Sequence, residues 1–291
     1  MDWGRLISAM ATPFASDLSV DYRKAGDLAV RLVADGNTAI IVSGTTGESP
    51  NINKEERIRL VKELKARVKV PVLSGAGTNS TATSVEYAKD AEAAGADGVL
   101  LVAPYYNKPD QGMMYSHFGA IADAITIPVI LYNVPGRTAS TIAPATVARL
   151  ARDHANIVAL KDASGDLVAM TETLLLAPKG FRVYTGEDGL LLPSLSVGAY
   201  GVVSVASHVV GKKMAALIDA FLAGKYEEAG KLHRDLYAIN KALFLQANPV
   251  PLKAALKLVG FDAGGLRAPL AWASDDVVEK LQSALSGLGM A

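Results

Sequence analysis

The sequence predicts an α/β protein, a (β/α)8 barrel with a C-terminal helical subdomain. Short apolar runs alternate with helix-like segments along most of the chain, and these runs are continuously apolar rather than alternating with polar residues. Continuous apolar strands indicate burial on both faces, which a parallel sheet covered by helices provides. The length of 291 residues also suits one large barrel.

Eight runs rich in β-branched residues are the predicted strands. They span residues 7–11, 39–43, 71–74, 98–103, 128–132, 157–161, 181–185 and 201–205. Eight parallel strands with right-handed helical connections can close a barrel. An open doubly wound sheet is the alternative, but the first strand leads into ATPF at 11–14 and not into the glycine-rich fingerprint of dinucleotide-binding folds.

The connecting segments carry apolar residues at three- and four-residue spacing, as expected for helices such as 54–68, 80–94 and 144–152. Further helices are predicted at 212–222, 226–245, 251–259 and 275–286, more than the single helix that a barrel needs after its eighth strand. No linker rich in glycine, proline and serine separates them from the barrel. The sequence therefore predicts a barrel over 1–224 and a helical subdomain over 225–291 that packs on it.

The composition excludes several classes of protein. Acidic and basic residues balance at 29 each, so no nucleic-acid partner is predicted. The chain has no cysteine, which excludes disulfides, thiolate metal sites and a cysteine nucleophile. No metal site is predicted either, because the four histidines lack the spacing of paired ligands; they are His117, His154, His208 and His233.

The expected location is the cytoplasm, and no membrane partner is expected. The absence of cysteine fits a reducing compartment, and the start of the chain lacks the basic and apolar segments of a signal peptide. One stretch, 189–211, has no acidic or basic residue and is long enough for a membrane span. Because it contains Pro193, His208 and internal glycines, we interpret it as helix, turn and strand.

Lys161 closes the sixth apolar run, where an ammonium group has no evident structural reason to lie. Apolar surroundings favour the neutral form of an amine, which can attack a carbonyl carbon. Tyr132 closes the preceding run, and the chain between them leaves room for one helical connection, so the two side chains are predicted neighbours. From the run alone, a solvated lysine at a strand end is the favoured alternative.

Two more strand ends carry polar motifs at the barrel end where the reactive groups of such folds collect. The second strand leads into GTTGES at 44–49, whose backbone N–H groups and the hydroxyls of Thr45 and Thr46 suit a carboxylate ligand. A capped strand-to-helix turn is the alternative there. The fourth strand ends in PYYN at 104–107, and these tyrosines are equally consistent with an apolar rim, an interface or a proton path.

Four spaced motifs carry a resemblance to a known family: GTTGES at 44–49, PYYN at 104–107, YNVPGRT at 132–138 and VALKDAS at 158–164. The chain resembles dihydrodipicolinate synthases, TIM barrels of the pyruvate-dependent class I aldolase group that also contains N-acetylneuraminate lyase. The resemblance runs end to end and includes NPVPLKAAL at 248–256. It implies a lyase that condenses pyruvate with L-aspartate 4-semialdehyde into 4-hydroxy-tetrahydrodipicolinate, in lysine and diaminopimelate biosynthesis.

The resemblance also assigns roles to single residues. Lys161 matches the lysine that forms an imine with pyruvate, so no cofactor or metal is implied beyond that covalent imine. Tyr132, Thr45 and Tyr106 match a proton relay whose second tyrosine, Tyr106, comes from a neighbouring subunit of a homo-oligomer, usually a tetramer and in some members a dimer. The positions that match substrate-binding residues of the family are Thr46, Arg137, Val203 and Gly186.

The sequence is also consistent with two other functions. The closer one is an aldolase for a 2-keto-3-deoxy sugar acid on the same lysine and tyrosine, against which Arg137 argues because it can clamp a carboxylate bidentately. The other is a pyruvate-binding regulator without turnover, which would need no proton relay. Glu187 and Asp188 follow the seventh strand, and two carboxylates there argue against a phosphorylated substrate.

Regulation by lysine is predicted to be weak or absent. In feedback-inhibited members of the family, histidines and a glutamate bind lysine at a subunit interface. The matching positions here are Lys54, Arg57 and Thr83. Two cations and a hydroxyl cannot supply the anionic partner that the ammonium group of a bound lysine requires.

Overall fold

The computed structural model describes residues 2–290 and confirms the closed parallel barrel of eight strands. Each strand overlaps its predicted run, and the pairing of β1 with β8 closes the sheet. The strands are β1 Leu6–Ala9, β2 Ala39–Val42, β3 Val72–Gly75, β4 Val99–Val102, β5 Val129–Asn133, β6 Ile157–Asp162, β7 Arg182–Thr185 and β8 Gly201–Ser204. Their carboxyl ends lie on one face of the barrel, where the predicted site residues follow them.

Helices alternate with the strands and then continue beyond β8. They are α1 Tyr22–Ala34, α2 Lys54–Arg67, α3 Thr81–Ala93, α4 Gln111–Ala122, α5 Pro135–Thr138, α6 Pro144–Asp153, α7 Leu167–Leu176, α8 Leu191–Ser196, α9 Ser207–Leu222, α10 Tyr226–Asp235, α11 Tyr237–Ala242, α12 Val250–Leu258 and α13 Asp275–Ser286. Local signals set several of these boundaries. At the start of α2, for example, the Asn53 side chain accepts from Glu56 N and the Glu56 carboxylate accepts from Asn53 N.

Two helix boundaries differ from the prediction. The helix expected at 212–222 begins at Ser207, whose backbone N–H donates to the hydroxyl of Ser204 at 2.8 Å, and a kink at Val210 follows. The helix expected at 226–245 is divided into α10 and α11 at Leu236, which keeps nearly helical dihedrals. The uncharged stretch holds α8, a turn and β8, as predicted. In residues 2–290 no helix is both long and apolar enough to cross a bilayer.

Two apolar clusters fill the barrel and its surroundings. The inner cluster consists of alternate strand residues that point into the barrel, and its members include Ile7, Ile41, Leu73, Ile130, Ala159 and Val203. The outer cluster lies between the sheet and the helices. Leu256 of α12 and Leu281 of α13 belong to this same outer cluster. We propose that 225–291 forms a helical subdomain. Its apolar residues, such as Leu256 and Leu281, extend the outer core of the barrel.

The buried histidines have structural contacts. His208 accepts a hydrogen bond from Ala11 N at 3.1 Å and donates through Nδ1 to Val205 O at 2.8 Å, which ties α9 to the loop after β1. His117 in α4 contacts the hydroxyl of Thr81 at 2.9 Å. Among residues 2–290, no three histidine, aspartate or glutamate side chains are grouped so that they could hold a metal ion.

Burial of His208 predicts that acid destabilises the fold. Burial lowers the pKa of His208 from 6.5 to about 4, so the folded protein keeps this ring neutral while the unfolded chain protonates it. Its contribution is complete above about pH 6.5 and is lost as the pH falls towards about 4. We expect His208→Gln to reduce the difference in the free energy of unfolding between pH 7 and pH 5 by about 2 kcal/mol. Urea unfolding at both pH values measures this, and equal pH dependence in both proteins would contradict it.

Candidate active site

Lys161 and Tyr132 lie side by side at the carboxyl end of the barrel, as the sequence predicts. They pair across β5 and β6, and Lys161 Nζ lies 4.2 Å from the centroid of the Tyr132 ring. Each side chain is 5% exposed. A register shift of one residue between Val129 and Ile130 creates this pairing, because β6 carries one extra residue before Lys161. The lysine therefore enters the barrel interior beside the tyrosine.

Gly186 leaves room for the lysine side chain. A Cβ atom at position 186 would lie 2.9 Å from Lys161 Cε and 2.7 Å from the Cβ of Ala163, closer than van der Waals contact allows. The backbone N–H of Gly186 is fixed by a 2.6 Å hydrogen bond to Asp162 O. Val203 in β8 is fully buried and belongs to the same inner cluster as Tyr132. The structure therefore brings Gly186 to the lysine and places Val203 in the apolar cluster that contains Tyr132.

The loop after β2, Gly44 to Ser49, forms another wall. Thr45 lines a small cavity together with Tyr132, and Thr46 is buried next to Asn248, whose Nδ2 donates to the Thr46 hydroxyl at 2.9 Å. The hydroxyl of Thr12 donates to Gly47 O at 2.8 Å. Two residues thus anchor the loop: Thr12, which follows β1, and Asn248, in the C-terminal part of the chain.

A fully buried ion pair holds the far end of this loop. Lys253 Nζ in α12 lies 2.8 Å from Glu48 Oε1, and neither side chain is exposed. The second carboxylate oxygen of Glu48 accepts from Arg267 N at 3.0 Å, and Lys253 also donates to Gly265 O at 2.6 Å. Burial lowers the pKa of Lys253, while the charge of Glu48 opposes that shift. Sequence reasoning missed this pair, although a lysine within the apolar segment NPVPLKAAL was the available signal.

Two acidic residues after β7 lie close enough to Lys161 for its charge to act on them. Asp188 is 2% exposed, and one of its oxygens accepts from Val205 N at 3.0 Å and Ala206 N at 2.8 Å. Burial raises the pKa of Asp188, and the charge of Lys161 lowers it. Burial also raises the pKa of Glu187, which Asp188 raises further and which Lys161 and Arg137 lower. From the sequence alone, these carboxylates argued only against a phosphorylated substrate.

Asn133 and Asp162 directly follow Tyr132 and Lys161 along β5 and β6, and they pair with each other. Asn133 Nδ2 donates to Asp162 Oδ1 at 3.0 Å, and Asn133 Oδ1 accepts from Ile142 N at 3.1 Å. Both side chains are buried. This cross-strand bond couples the residues that follow the lysine and the tyrosine, so it holds the register of β5 and β6 at the site. It was not predicted.

Arg137 and Tyr106 are placed differently from the buried residues. Arg137 lies in the short helix α5 and is exposed, at a distance from which its charge still acts on Glu187. Tyr106 follows β4, has a left-handed φ of 74° and is 89% exposed. Within a single protomer, Tyr106 therefore lies outside the cluster of Lys161, Tyr132 and Thr45.

Comparison with known proteins decides the family. The family described as "Dihydrodipicolinate synthetase family" matches residues 2–288. The chain belongs to this family. A relative from Moorella thermoacetica, a 4-hydroxy-tetrahydrodipicolinate synthase, is 49% identical over 292 residues, which cover 100% of both chains. The prediction of a class I aldolase-type lyase is confirmed with the family.

Solved structures of the family share the fold. A dihydrodipicolinate synthase from Bacillus anthracis superposes with a TM-score of 0.96 at 46% identity and covers 98% of each chain. A structure of the synthase from Cyanidioschyzon merolae with lysine bound gives a TM-score of 0.97 at 42% identity, with 99% of each chain covered. The predicted TIM barrel is thereby confirmed by comparison as well as by its strand order.

The ion pair between Glu48 and Lys253 generates a prediction about stability. Lys253→Met leaves Glu48 as an unpaired buried charge, so we expect the free energy of unfolding to fall by about 3–5 kcal/mol. Lys257→Met is the matched control, because Lys257 lies on the same helix with 61% of its side chain exposed. The double variant Glu48→Gln, Lys253→Met should recover part of the loss. Urea unfolding measures all four proteins, and equal losses at positions 253 and 257 would contradict the assignment.

Proposed function

We propose that the chain condenses pyruvate with L-aspartate 4-semialdehyde to give 4-hydroxy-tetrahydrodipicolinate, a step of lysine and diaminopimelate biosynthesis. The observation that carries this proposal is a buried lysine beside a tyrosine, with space cleared by Gly186. The names of the relatives, at up to 49% identity over whole chains, support the choice of substrates. We propose a cytoplasmic location for this step, in keeping with a chain that lacks cysteine.

The first half of the proposed reaction activates pyruvate. The neutral amine of Lys161 adds to the keto carbon and water leaves, which gives an imine that takes up a proton. Tyr132 then helps to remove a proton from the methyl carbon, and the electron pair of that bond moves into the imine to form an enamine. Thr45 and Tyr106 relay the proton. Because the protonated imine is the electron sink, we propose that no separate cofactor takes part.

The second half builds the carbon–carbon bond and releases the enzyme. The enamine attacks the aldehyde carbon of the semialdehyde, whose oxygen takes a proton. The amino group of that substrate then attacks the imine carbon, closes the ring and expels Lys161 as a free amine. One water, lost at the first step, is the only other product. Arg137, exposed at the mouth of the site, holds the carboxylate of the semialdehyde.

The carboxylate of pyruvate is proposed to bind at the loop after β2. Thr46 supplies a hydroxyl, and backbone groups of Gly186 and Val203 line the same pocket beside Lys161. The geometry in favour of this assignment is the burial of Thr46 and the close approach of Gly186 to the lysine. The carboxylates of Glu187 and Asp188 lie on the lysine side, where they offset the positive charge of the imine.

We propose a homo-oligomer in which Tyr106 enters the site of a neighbouring subunit, with a tetramer favoured over a dimer. Tyr106 has 89% of its surface exposed and a left-handed backbone, as suits a side chain that another chain covers. Large apolar side chains are also exposed elsewhere, at Met113 near the start of α4 and at Val168 and Leu175 in α7. Such side chains are candidates for subunit contacts.

The proposed function predicts which aldehyde the enzyme accepts. We expect pyruvate consumption with L-aspartate 4-semialdehyde, and none with N-acetylmannosamine or glyceraldehyde. Lys161→Ala should lose this turnover by at least about 1,000-fold, because the covalent route no longer exists. A coupled assay of each aldehyde with both proteins measures this, and borohydride trapping of pyruvate on the wild type tests the imine.

Other outcomes of that assay point to other functions. Turnover with a sugar aldehyde would keep the imine but make the chain a 2-keto-3-deoxy sugar acid aldolase. Pyruvate binding without turnover of any aldehyde would indicate a regulator. Either result would overturn the proposed reaction.

We also propose that inhibition of this enzyme by L-lysine is weak or absent, although the synthase from Cyanidioschyzon merolae was solved with lysine bound. The ammonium of Lys54 already lies 2.7 Å from Glu86 and 3.0 Å from Asp90, so the nearby carboxylates are paired within the chain. Arg57 is buried, donates to Gly75 O at 2.8 Å and stacks 4.7 Å from the centroid of the Tyr87 ring. Neither residue offers an anion to a ligand ammonium group.

Initial rates therefore should change by less than about twofold when millimolar L-lysine is added, because the carboxylates next to Lys54 are already paired with it. Lys54→Ala is the informative variant, since it frees the carboxylates of Glu86 and Asp90. Inhibition that arises only in this variant would support the argument. Strong inhibition of the wild type at the same concentration would refute it.

A further inference from the structure

Asn248 joins the C-terminal part of the chain to the loop after β2. Its Nδ2 donates to the hydroxyl oxygen of Thr46 at 2.9 Å, across 202 residues of sequence. Asn248 is 8% exposed and Thr46 is 2% exposed, so water does not compete effectively for this bond. It is a direct contact between a residue outside the eight strand–helix units and a residue of the proposed pyruvate site.

The direction of this hydrogen bond determines what Thr46 can do. A hydroxyl has one hydrogen to donate and two lone pairs to accept with. Because the Thr46 oxygen accepts from an amide N–H, its own hydrogen is not shared with Asn248. Within residues 2–290, no hydrogen bond uses that hydrogen. It is left to be donated to an anion in the pocket.

The segment that carries the amide makes a second contact with the loop. Asn248 lies two residues before the start of α12, and this helix carries Lys253, whose ion pair with Glu48 anchors the far end of the loop. The segment 248–253 therefore contacts the loop at Thr46 and at Glu48. These two contacts hold the segment that carries Asn248 against the loop.

We infer that Asn248 is a positioning residue that directs the hydroxyl proton of Thr46 towards the carboxylate of pyruvate. The inference rests on the proposed function, since it takes Thr46 to be the carboxylate-binding residue. Asn248 need not touch the substrate. Its role is to occupy a lone pair of the hydroxyl, so that the bound anion meets a donor and not an acceptor.

Asn248→Asp tests the inference, because it changes the chemistry of the contact with little change of shape. An ionised aspartate only accepts hydrogen bonds, so it would take the proton of Thr46 and place a negative charge near the substrate carboxylate. We expect the KM for pyruvate to rise about 10- to 100-fold, as for the loss of a hydrogen bond to a charged group. The KM for the semialdehyde should stay within about twofold of the wild-type value.

Asn37→Asp is the matched control. Asn37 is 2% exposed and also makes one hydrogen bond through Nδ2, to Leu32 O at 2.9 Å, but it precedes β2 at the opposite end of the barrel. It therefore matches the burial and the new charge without the contact to Thr46. An equal rise of the pyruvate KM in both variants would show a general structural effect and overturn the inference.

A double-variant cycle covers the case in which Asn248→Asp weakens the fold. If Asn248 acts through the Thr46 hydroxyl, Asn248→Ala should raise the pyruvate KM in the wild type and change it by less than about twofold in Thr46→Val. Additive effects would overturn the inference, and so would an unchanged pyruvate KM in Asn248→Asp. Borohydride trapping on the wild type separates the two proposals. If the wild type traps pyruvate and the Asn248 variants behave normally, only this inference fails, whereas no trapping on the wild type removes the proposed function.

Discussion

The site depends on the one-residue register shift between β5 and β6. At the amino ends of these strands Val129 pairs with Ile157, but the next pair is Ile130 with Ala159, so Val158 is the extra residue. If Val158 were instead paired with Ile130 and the register did not shift, Tyr132 would pair with Leu160, and Lys161 would point out of the barrel towards the helices. Because the side chains of a strand alternate between faces, the accommodation of Val158 as an unpaired extra residue decides whether the lysine is interior.

Lys161 and Lys253 are both buried, and a comparison of the two shows that burial alone does not make an amine reactive. Lys253 is fully buried, but its charge is paired with Glu48 and it also donates a hydrogen bond to Gly265 O. Lys161 is nearly as buried and, in the described part of the chain, makes no ion pair. Its neighbours are a tyrosine ring and carboxylates that act through space. The first lysine holds a loop in place, and the second is free to react.

The sequence predicted the strands well because each is a continuous apolar run, which is a local signal that needs no knowledge of the fold. It also predicted that Lys161 and Tyr132 are neighbours, since both close such runs. It did not predict Val158 as the inserted residue, because that residue resembles the rest of its run. The contacts of Thr46 with Asn248 and of Glu48 with Lys253 were also missed, because they join segments about 200 residues apart and depend on the closed fold.

Through these long-range contacts, the C-terminal part of the chain takes part in the site. A barrel of eight strands and helices contains Lys161, Tyr132 and the loop after β2, so the later helices look dispensable from topology alone. Yet the donor to Thr46 and the partner of Glu48 both come from the segment 248–253. A loop rich in glycine and threonine has little rigidity of its own, and a carboxylate site needs fixed donors. The segment 248–253 supplies fixed contacts to this loop, so the start of α12 is part of the site's architecture and not only a layer packed on the barrel.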